Sequence, residues 1–454
     1  MQRRTLARSL MLAIIAAPRL AGAQPRPADT RMQAGGEAWA TSWAGSVQGP
    51  YPVGNPSAQP DQRFLFPDPA EGARDQTLRL VLRPSLWGRE ARLRFSNAFG
   101  TRPLTLDGVH AGLQLGGAAL LPGSNRPVGF GGQPRVTIPP GGQVWSDPVA
   151  LPFAADPDAP LLAGRKLAVS FHVVGASGPM TWHAKALQTS YGTAPGAGAH
   201  GAEEGEAAFP FSTASWFFLD AVDMRAPAGT PVIVAFGDSI TDGTASTMNG
   251  DDRWPDVLCR RLQARLGNRV SVVNAGIGGN QVVGPATYGP EQPFPGGPSA
   301  LSRLERDVLS LSGVTGVIWL EGINDFSRNG NASPEAVQAG MREGVRRLRE
   351  RLPGVRVIGA TLVPALGSSS AAHGHAEQDA KRRGLNAFIR ESGLFDAVVE
   401  FEPVTIDRAS GGLRAEMVPE STTGGRGDGL HPNRAGYLAM GSGIDLDALL
   451  PARR

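Results

Sequence analysis

Cysteine is almost absent from this chain: there is one, Cys259, in 454 residues. No disulfide can close within a single copy, so packing and hydrogen bonds must hold the fold without a covalent framework. Cys259 falls in an apolar helical pattern and reads as a small buried hydrophobe. Long apolar runs are lacking as well. The run near the start, Leu10 to Ala17, is far short of the roughly 20 residues that cross a bilayer, and no later stretch is long enough. A strong charge of one sign is missing once that start is set aside. Arg3, Arg4 and Arg8 precede the apolar run, and Ala21-Gly22-Ala23 follows it with the small residues a signal peptidase needs. Residues 1–23 therefore read as a signal peptide. The product expected is secreted or periplasmic, starts at Gln24, and leaves by the general route or, through Arg3-Arg4, by twin-arginine export. The segment holds four arginines and no acid, so its removal takes the formal net charge from +3 to −1. That balance excludes the basic footprint of a nucleic-acid binder, and no stable membrane anchor is expected.

Glycine and proline are abundant instead, at 60 and 38 residues, which favours turns and loops over a helical bundle. The length suits two domains. Residues 24–40 read as a flexible leader rich in Pro, Gln and Ala. Residues 41–225 carry short stretches of β pattern broken by Gly and Pro: Thr77–Leu82, Ala91–Phe95, Gln133–Ile138, Lys166–Val174 and Trp216–Val222. An all-β sandwich or jelly roll is expected there, with a mobile surface loop at 193–208. From 226 to 454 strands alternate with helices. Val232–Phe236, Val270–Val273, Val314–Leu320, Val355–Val363 and Ala397–Phe401 are the strands. Trp254–Leu266, Leu301–Leu311, a helix capped by Ser333 and opened by Pro334, Glu377–Arg390 and a last helix after Asn433 lie between and beyond them. Five such strands predict an α/β fold with a five-stranded, parallel, doubly wound sheet.

Ligands of such a sheet gather at the carboxyl ends of its strands, and the chemistry-bearing residues fall there. The first strand runs into Gly237-Asp238-Ser239-Ile240. Taken alone, Ser239 reads better as a helix N-cap than as a nucleophile. Asn274 to Asn280 follows the second strand, and Glu321-Gly322-Ile323-Asn324-Asp325 ends the third. Asp428-Gly429-Leu430-His431 precedes the last helix. A serine hydroxyl needs a base to become a nucleophile, and an imidazole needs a carboxylate to fix its tautomer. Acyl transfer also needs donors for an oxyanion, which a glycine N–H at Gly279 and the amide of Asn324 can supply. Each has a plain alternative as a turn residue.

Four blocks in this order resemble the GDSL or SGNH hydrolase family: Gly237-Asp238-Ser239-Ile240, Asn274 to Gly279, Gly322-x-Asn324-Asp325 and Asp428-x-x-His431. Ile240 stands where the eponymous leucine would be. The resemblance implies a flavodoxin-like SGNH fold and a serine esterase without cofactor or metal. It implies Ser239 as nucleophile, His431 as base and Asp428 as its orienting carboxylate, with Ser239, Gly279 and Asn324 forming the oxyanion hole and Asp238 structural. The N-terminal β domain makes the whole similar to polysaccharide acetylesterases. The implied partner is an ester substrate, an acetylated glycan in particular. A broad short-chain or aryl esterase, a lysophospholipase-like enzyme and a non-catalytic glycan-binding module are the alternatives. Trp182 fits either the core or the site, Trp254 fits a helix start, and the loop Pro285 to Pro298 can wall the cleft.

Overall fold

The computed structural model describes residues 36–450. The signal peptide assigned to 1–23 and most of the leader lie outside the described residues. The leader is shorter than expected, because a strand begins at Glu37 and runs to Ala44.

Residues 37–227 form a separate two-stranded ribbon and two large antiparallel sheets. One holds Glu37–Ala44, Leu219–Pro227, Glu90–Ser96 and Gln143–Trp145 in that order. The other orders Phe211–Thr213, Ser190–Gly192, Arg74–Leu82, Leu167–Ala176, Leu104–Gly116 and Ala119–Leu120. Alternation sets which residues turn inward. Leu78, Leu80 and Leu82 join the main core, whereas Val81 sits in a small separate cluster with Ala168 and Leu120. Phe95 of the first sheet meets Phe171 of the second edge-on, with centroids 5.3 Å apart. Trp216–Val222 is not one strand. Phe218 takes φ 62°, so Trp216–Phe217 pairs with Trp182–His183 and the chain then joins the first sheet. Gln133–Ile138 narrows to Val136–Ile138, because Pro134 can donate nothing to a ladder. The segment 193–208 is tied down rather than free. Arg79 donates to the carbonyls of Glu203 and Gly205, and Glu204 accepts from the N–H groups of Gly123 and Asn125.

The second half is a five-stranded parallel sheet with strands β1 (Val232–Gly237), β2 (Ser271–Gly276), β3 (Val314–Leu320), β4 (Arg356–Ala360) and β5 (Ala397–Val399), in the spatial order 2-1-3-4-5. All six residues of β1 are buried, as a central strand covered on both faces requires. The connecting helices are α1 (Ser239–Asp242), α2 (Trp254–Leu266), α3 (Ala300–Leu304), α4 (Pro334–Arg351), α5 (Ala376–Glu391), α6 (Phe401–Thr405) and α7 (Arg434–Gly443). In α4, Ser333 Oγ accepts from Ala336 N, and Val337, Met341, Val345 and Leu348 fill the buried face. The helix expected over 301–311 widens after Leu304 into a π-turn, Glu305–Leu309. The two last strands are shorter than expected: Pro364 follows closely on β4, and α6 starts two residues after β5.

The two halves share one continuous core. Ser271 on β2 donates to the carbonyl of Thr41; Thr41 N donates to the carbonyl of Ser312, and Ser312 N donates to Thr41 Oγ1. Two ion pairs, Arg94–Asp220 at 2.6 Å and Arg92–Asp223 at 2.8 Å, lie under this seam, and both arginines reach across it to Ser310 and Ser312. No helix among the described residues is long and apolar enough to cross a membrane.

Candidate active site

β1 ends at Gly237, where the backbone passes so close to β3 that a Cβ would stand 2.2 Å from the carbonyl oxygen of Leu320. Only glycine fits this crossing, and the chain can then turn sharply into α1. The cap of that helix is Asp238, whose carboxylate accepts from Ile240 N at 2.9 Å. Ser239 is thus released from the capping role that its position allowed, and its Oγ lies 2.8 Å from His431 Nε2.

The partner arrives from the loop before α7. His431 Nδ1 is 2.6 Å from Asp428 Oδ2, and Asp428 Oδ1 accepts from the N–H groups of Leu430 and His431, each at 2.9 Å. Gly427 and Gly429 flank Asp428 with φ of 74° and 72°, which lets the loop fold the carboxylate back onto its own backbone. Burial raises the Asp428 carboxyl, but the hydrogen bond and charge of His431 and the two backbone donors outweigh it, so it is held far below the usual carboxylate range. An ionised Asp428 can only accept, which places the imidazole proton on Nδ1 and leaves the Nε2 lone pair facing the Ser239 hydroxyl. The Asp-x-x-His spacing does not select this pair by itself. Asp107 and His110 share it, yet there Asp107 pairs with Arg135 and His110 Nδ1 meets the carbonyl of Gly108.

The other predicted residues sit on the same sheet edge. Gly279 takes φ 86° in the loop after β2, a conformation suited to glycine. Asn280 anchors this loop by donating to the carbonyls of Gly296 and Pro298 and accepting from Arg303 Nε. Asn324 Nδ2 donates to the Asn280 carbonyl at 3.0 Å, and Asp325 accepts from the N–H groups of Val282 and Val283. The structure therefore links Gly279, Asn280 and Asn324 in one braced rim. Trp182 belongs to the core, with Tyr51 edge-on at 5.0 Å. Cys259 and Trp254 are buried too.

Several contributors were not read from the sequence. Asp242 at the end of α1 accepts from Gly278 N at 2.9 Å and meets His183 Nε2 at 3.2 Å. Lys185 bonds Thr244 Oγ1; burial lowers its pKa, against the pull of Asp242, Asp428 and Asp238. From the β half, Asn55 donates to the carbonyl of Gly278 at 2.8 Å, and its Nδ2 stands 2.7 Å from where a Cβ on Gly279 would be. The loop 285–298 is fastened to the same half through Gln48 to the Pro295 carbonyl and Tyr288 to that of Gly49. His373 reaches Asn324 Oδ1 from the loop after β4. A histidine past the carboxyl end of a strand was the one signal available for it. Asn55 is 223 residues from its partner and gave none.

Asn55→Ala is expected to lower kcat/KM for a short ester by about tenfold, since small displacements of a positioned group cost rate steeply. Thermal stability should hardly change, because Asn55 is exposed. Steady-state kinetics check this, and an unchanged rate would mean that Asn55 does not brace the loop.

Beneath the site lies a buried acidic group. Glu321, at the end of β3, accepts from Trp319 Nε1 with Oε2, while Oε1 has no hydrogen-bond partner and lies 3.9 Å from Arg303. Burial pushes its carboxyl up to about 8, and likewise pushes Asp238 and Asp325 up to about 7. A folded value above the unfolded one means that the native state holds the proton longer. The resulting stability is whole below the ordinary carboxylate range and is lost as pH rises through the folded value. Glu321→Gln cannot ionise, so its Tm relative to the parent should rise steadily from about pH 5 to about pH 8. A difference independent of pH in a thermal-shift series would contradict this.

Sheet order, strand-end rim and hydrogen-bonded Ser–His–Asp set together define an α/β ester hydrolase. Residues 235–439 match the model of the GDSL-like lipase/acylhydrolase family, and this match supports a carboxylic ester hydrolase. No curated protein matches the chain. Solved structures that align with it include a carbohydrate acetylesterase from Sinorhizobium meliloti (17% identity, 46% of this chain and 94% of that one, TM-score 0.35). They also include an aryl esterase from M. smegmatis (18%, 48% and 100%, 0.37) and a GDSL-like lipase from Bacteroides thetaiotaomicron (17%, 48% and 88%, 0.35).

Proposed function

We propose that this chain is an exported serine esterase that removes short acyl groups, acetyl in particular, from carbohydrate esters. The reading is carried by the relay of Ser239 Oγ, His431 and Asp428 at 2.8 and 2.6 Å. His431 Nε2 takes the Ser239 proton as Oγ attacks the ester carbonyl. The oxyanion forms against the N–H groups of Ser239 and Gly279 and the Asn324 amide. Ser239 is the first residue of α1, where a backbone N–H has no partner inside the helix. The tetrahedral adduct collapses, the C–O bond to the alcohol breaks, and His431 returns the proton to the leaving oxygen. Water then attacks the acyl-serine, gives its proton to His431, and the carboxylic acid leaves as Oγ is reprotonated.

Short acyl groups are favoured over lipid tails because only four large hydrophobics among the described residues are exposed, Phe64, Leu115, Leu161 and Leu438, few for the apolar patch a lipid surface needs. The reading of residues 41–225 as a β-sandwich adds a role for that half: it carries Asn55 to the rim that holds Gly279. Export rests on Arg3, Arg4, Arg8 and Ala21-Gly22-Ala23. A panel of p-nitrophenyl esters of increasing chain length, run beside acetylated xylan, tests the substrate class. Acetate release from xylan and a steep fall in rate with acyl length are expected. Preference for long chains would overturn the acyl assignment, and activity on aryl acetates alone would replace the carbohydrate by an aryl ester.

A further inference from the structure

Asn324 is buried, and its amide is held at both ends. Nδ2 donates to the Asn280 carbonyl at 3.0 Å, and Oδ1 lies 3.1 Å from His373 Nε2. The carbonyl of Asn280 is an acceptor only, so it fixes which end of the amide carries nitrogen. Oδ1 therefore faces His373 and needs a donor there. That requires the proton on His373 Nε2 and leaves Nδ1 to accept from Ser370 Oγ, 2.8 Å away. Ser370, His373, Asn324 and Asn280 form one directed chain of hydrogen bonds. It occupies Oδ1 and one amide N–H and leaves the second N–H free. A donor at Oδ1 also polarises the amide and strengthens its remaining N–H as a donor. His373 is half-buried and within electrostatic reach of His431 and Asp428; burial, then the charge of His431, lowers its pKa to about 4, so it stays neutral at the pH where the relay works.

We propose that His373 is a positioning residue for the oxyanion hole: by donating to Asn324 Oδ1 it fixes the amide so that one N–H stays aimed at the developing oxyanion. This rests on the reading of Asn324 as an oxyanion donor. His373 touches neither substrate nor Ser239; it acts through Asn324 and is felt only when the oxyanion forms.

The test is a cycle of kcat and KM on p-nitrophenyl acetate for the parent, His373→Leu, His373→Gln, Asn324→Ala and the double variant Asn324→Ala/His373→Leu. His373→Leu should lower kcat by about tenfold or more, part of the loss that follows removal of a whole donor, with KM within about twofold. His373→Gln can place an amide N–H where Nε2 was, and should recover most of kcat. In the Asn324→Ala background, His373→Leu should add less than about a twofold further loss, because the group it acts through is gone. If His373→Leu does not fold, Ser370→Ala carries the same cycle: it frees Nδ1 to take the proton, and should lower kcat by about threefold with KM unchanged. Parental kcat in His373→Leu, or in Ser370→Ala where that carries the test, or an equal loss with and without Asn324, would overturn the proposal. Parental kcat in Asn324→Ala would instead overturn the oxyanion reading of Asn324 itself, and the two failures are told apart by that single variant.

Discussion

Ser239→Ala is expected to reduce ester turnover by about a million-fold, to the residue of catalysis that binding and the oxyanion hole supply without a nucleophile. The loss should appear in kcat, since the hydroxyl contributes nothing to holding the ester before attack. The fold should be kept. Ser239 Oγ makes its hydrogen bond to His431, and losing one hydroxyl contact costs about 1 kcal/mol. The cap of α1 belongs to Asp238 and survives the change. Hydrolysis of p-nitrophenyl acetate by the purified variant, with its melting curve, checks both halves. Activity within a hundredfold of the parent would remove Ser239 from the mechanism.

Asp428→Asn should cost about 10⁴-fold in kcat. The reason is a tautomer. The aspartate oxygen 2.6 Å from Nδ1 can only accept, so the imidazole keeps its proton there. An amide NH₂ in the same place donates, the proton moves to Nε2, and the nitrogen facing Ser239 can no longer accept. The loop should hold its shape, because the side-chain oxygen can still accept from Leu430 and His431. The carboxylate also stabilises the imidazolium formed during attack, and that stabilisation is lost with it. A rate near the parent's would assign the orienting role to another group.

The predictions differ in how much of their basis the sequence carried. Helix α4 was readable from Ser333, Pro334 and the three-and-four spacing of its apolar residues, because capping and amphipathic burial are local. β1 was readable as a continuous apolar run. The π-turn after Leu304 was not: it coincides with the cluster of Arg303, Arg306 and Asp307, whose partners come from β1, β2 and residue 47. The break at Phe218 was missed for the same kind of reason, since one apolar stretch serves two different pairings. In the site, Ser239, Gly279, Asn324, Asp428 and His431 were nameable because each lies at a strand end or a helix entrance. Asn55, Lys185 and His373 were not, since what brings them to the rim is packing between the halves or a loop with no periodicity. Ser239 itself was ambiguous until its neighbour Asp238 proved to hold the cap.

The central claim is that Ser239 is the nucleophile, and it is tested most directly by covalent trapping. The purified protein would be treated with a fluorophosphonate, digested and mapped by mass spectrometry, while residual esterase activity is followed in parallel. The account predicts one phosphonyl adduct, on the peptide containing Ser239, formed in step with the loss of activity and slowed in Asp428→Asn. Inactivation with the adduct on another residue, or full activity after Ser239 is modified, would contradict it.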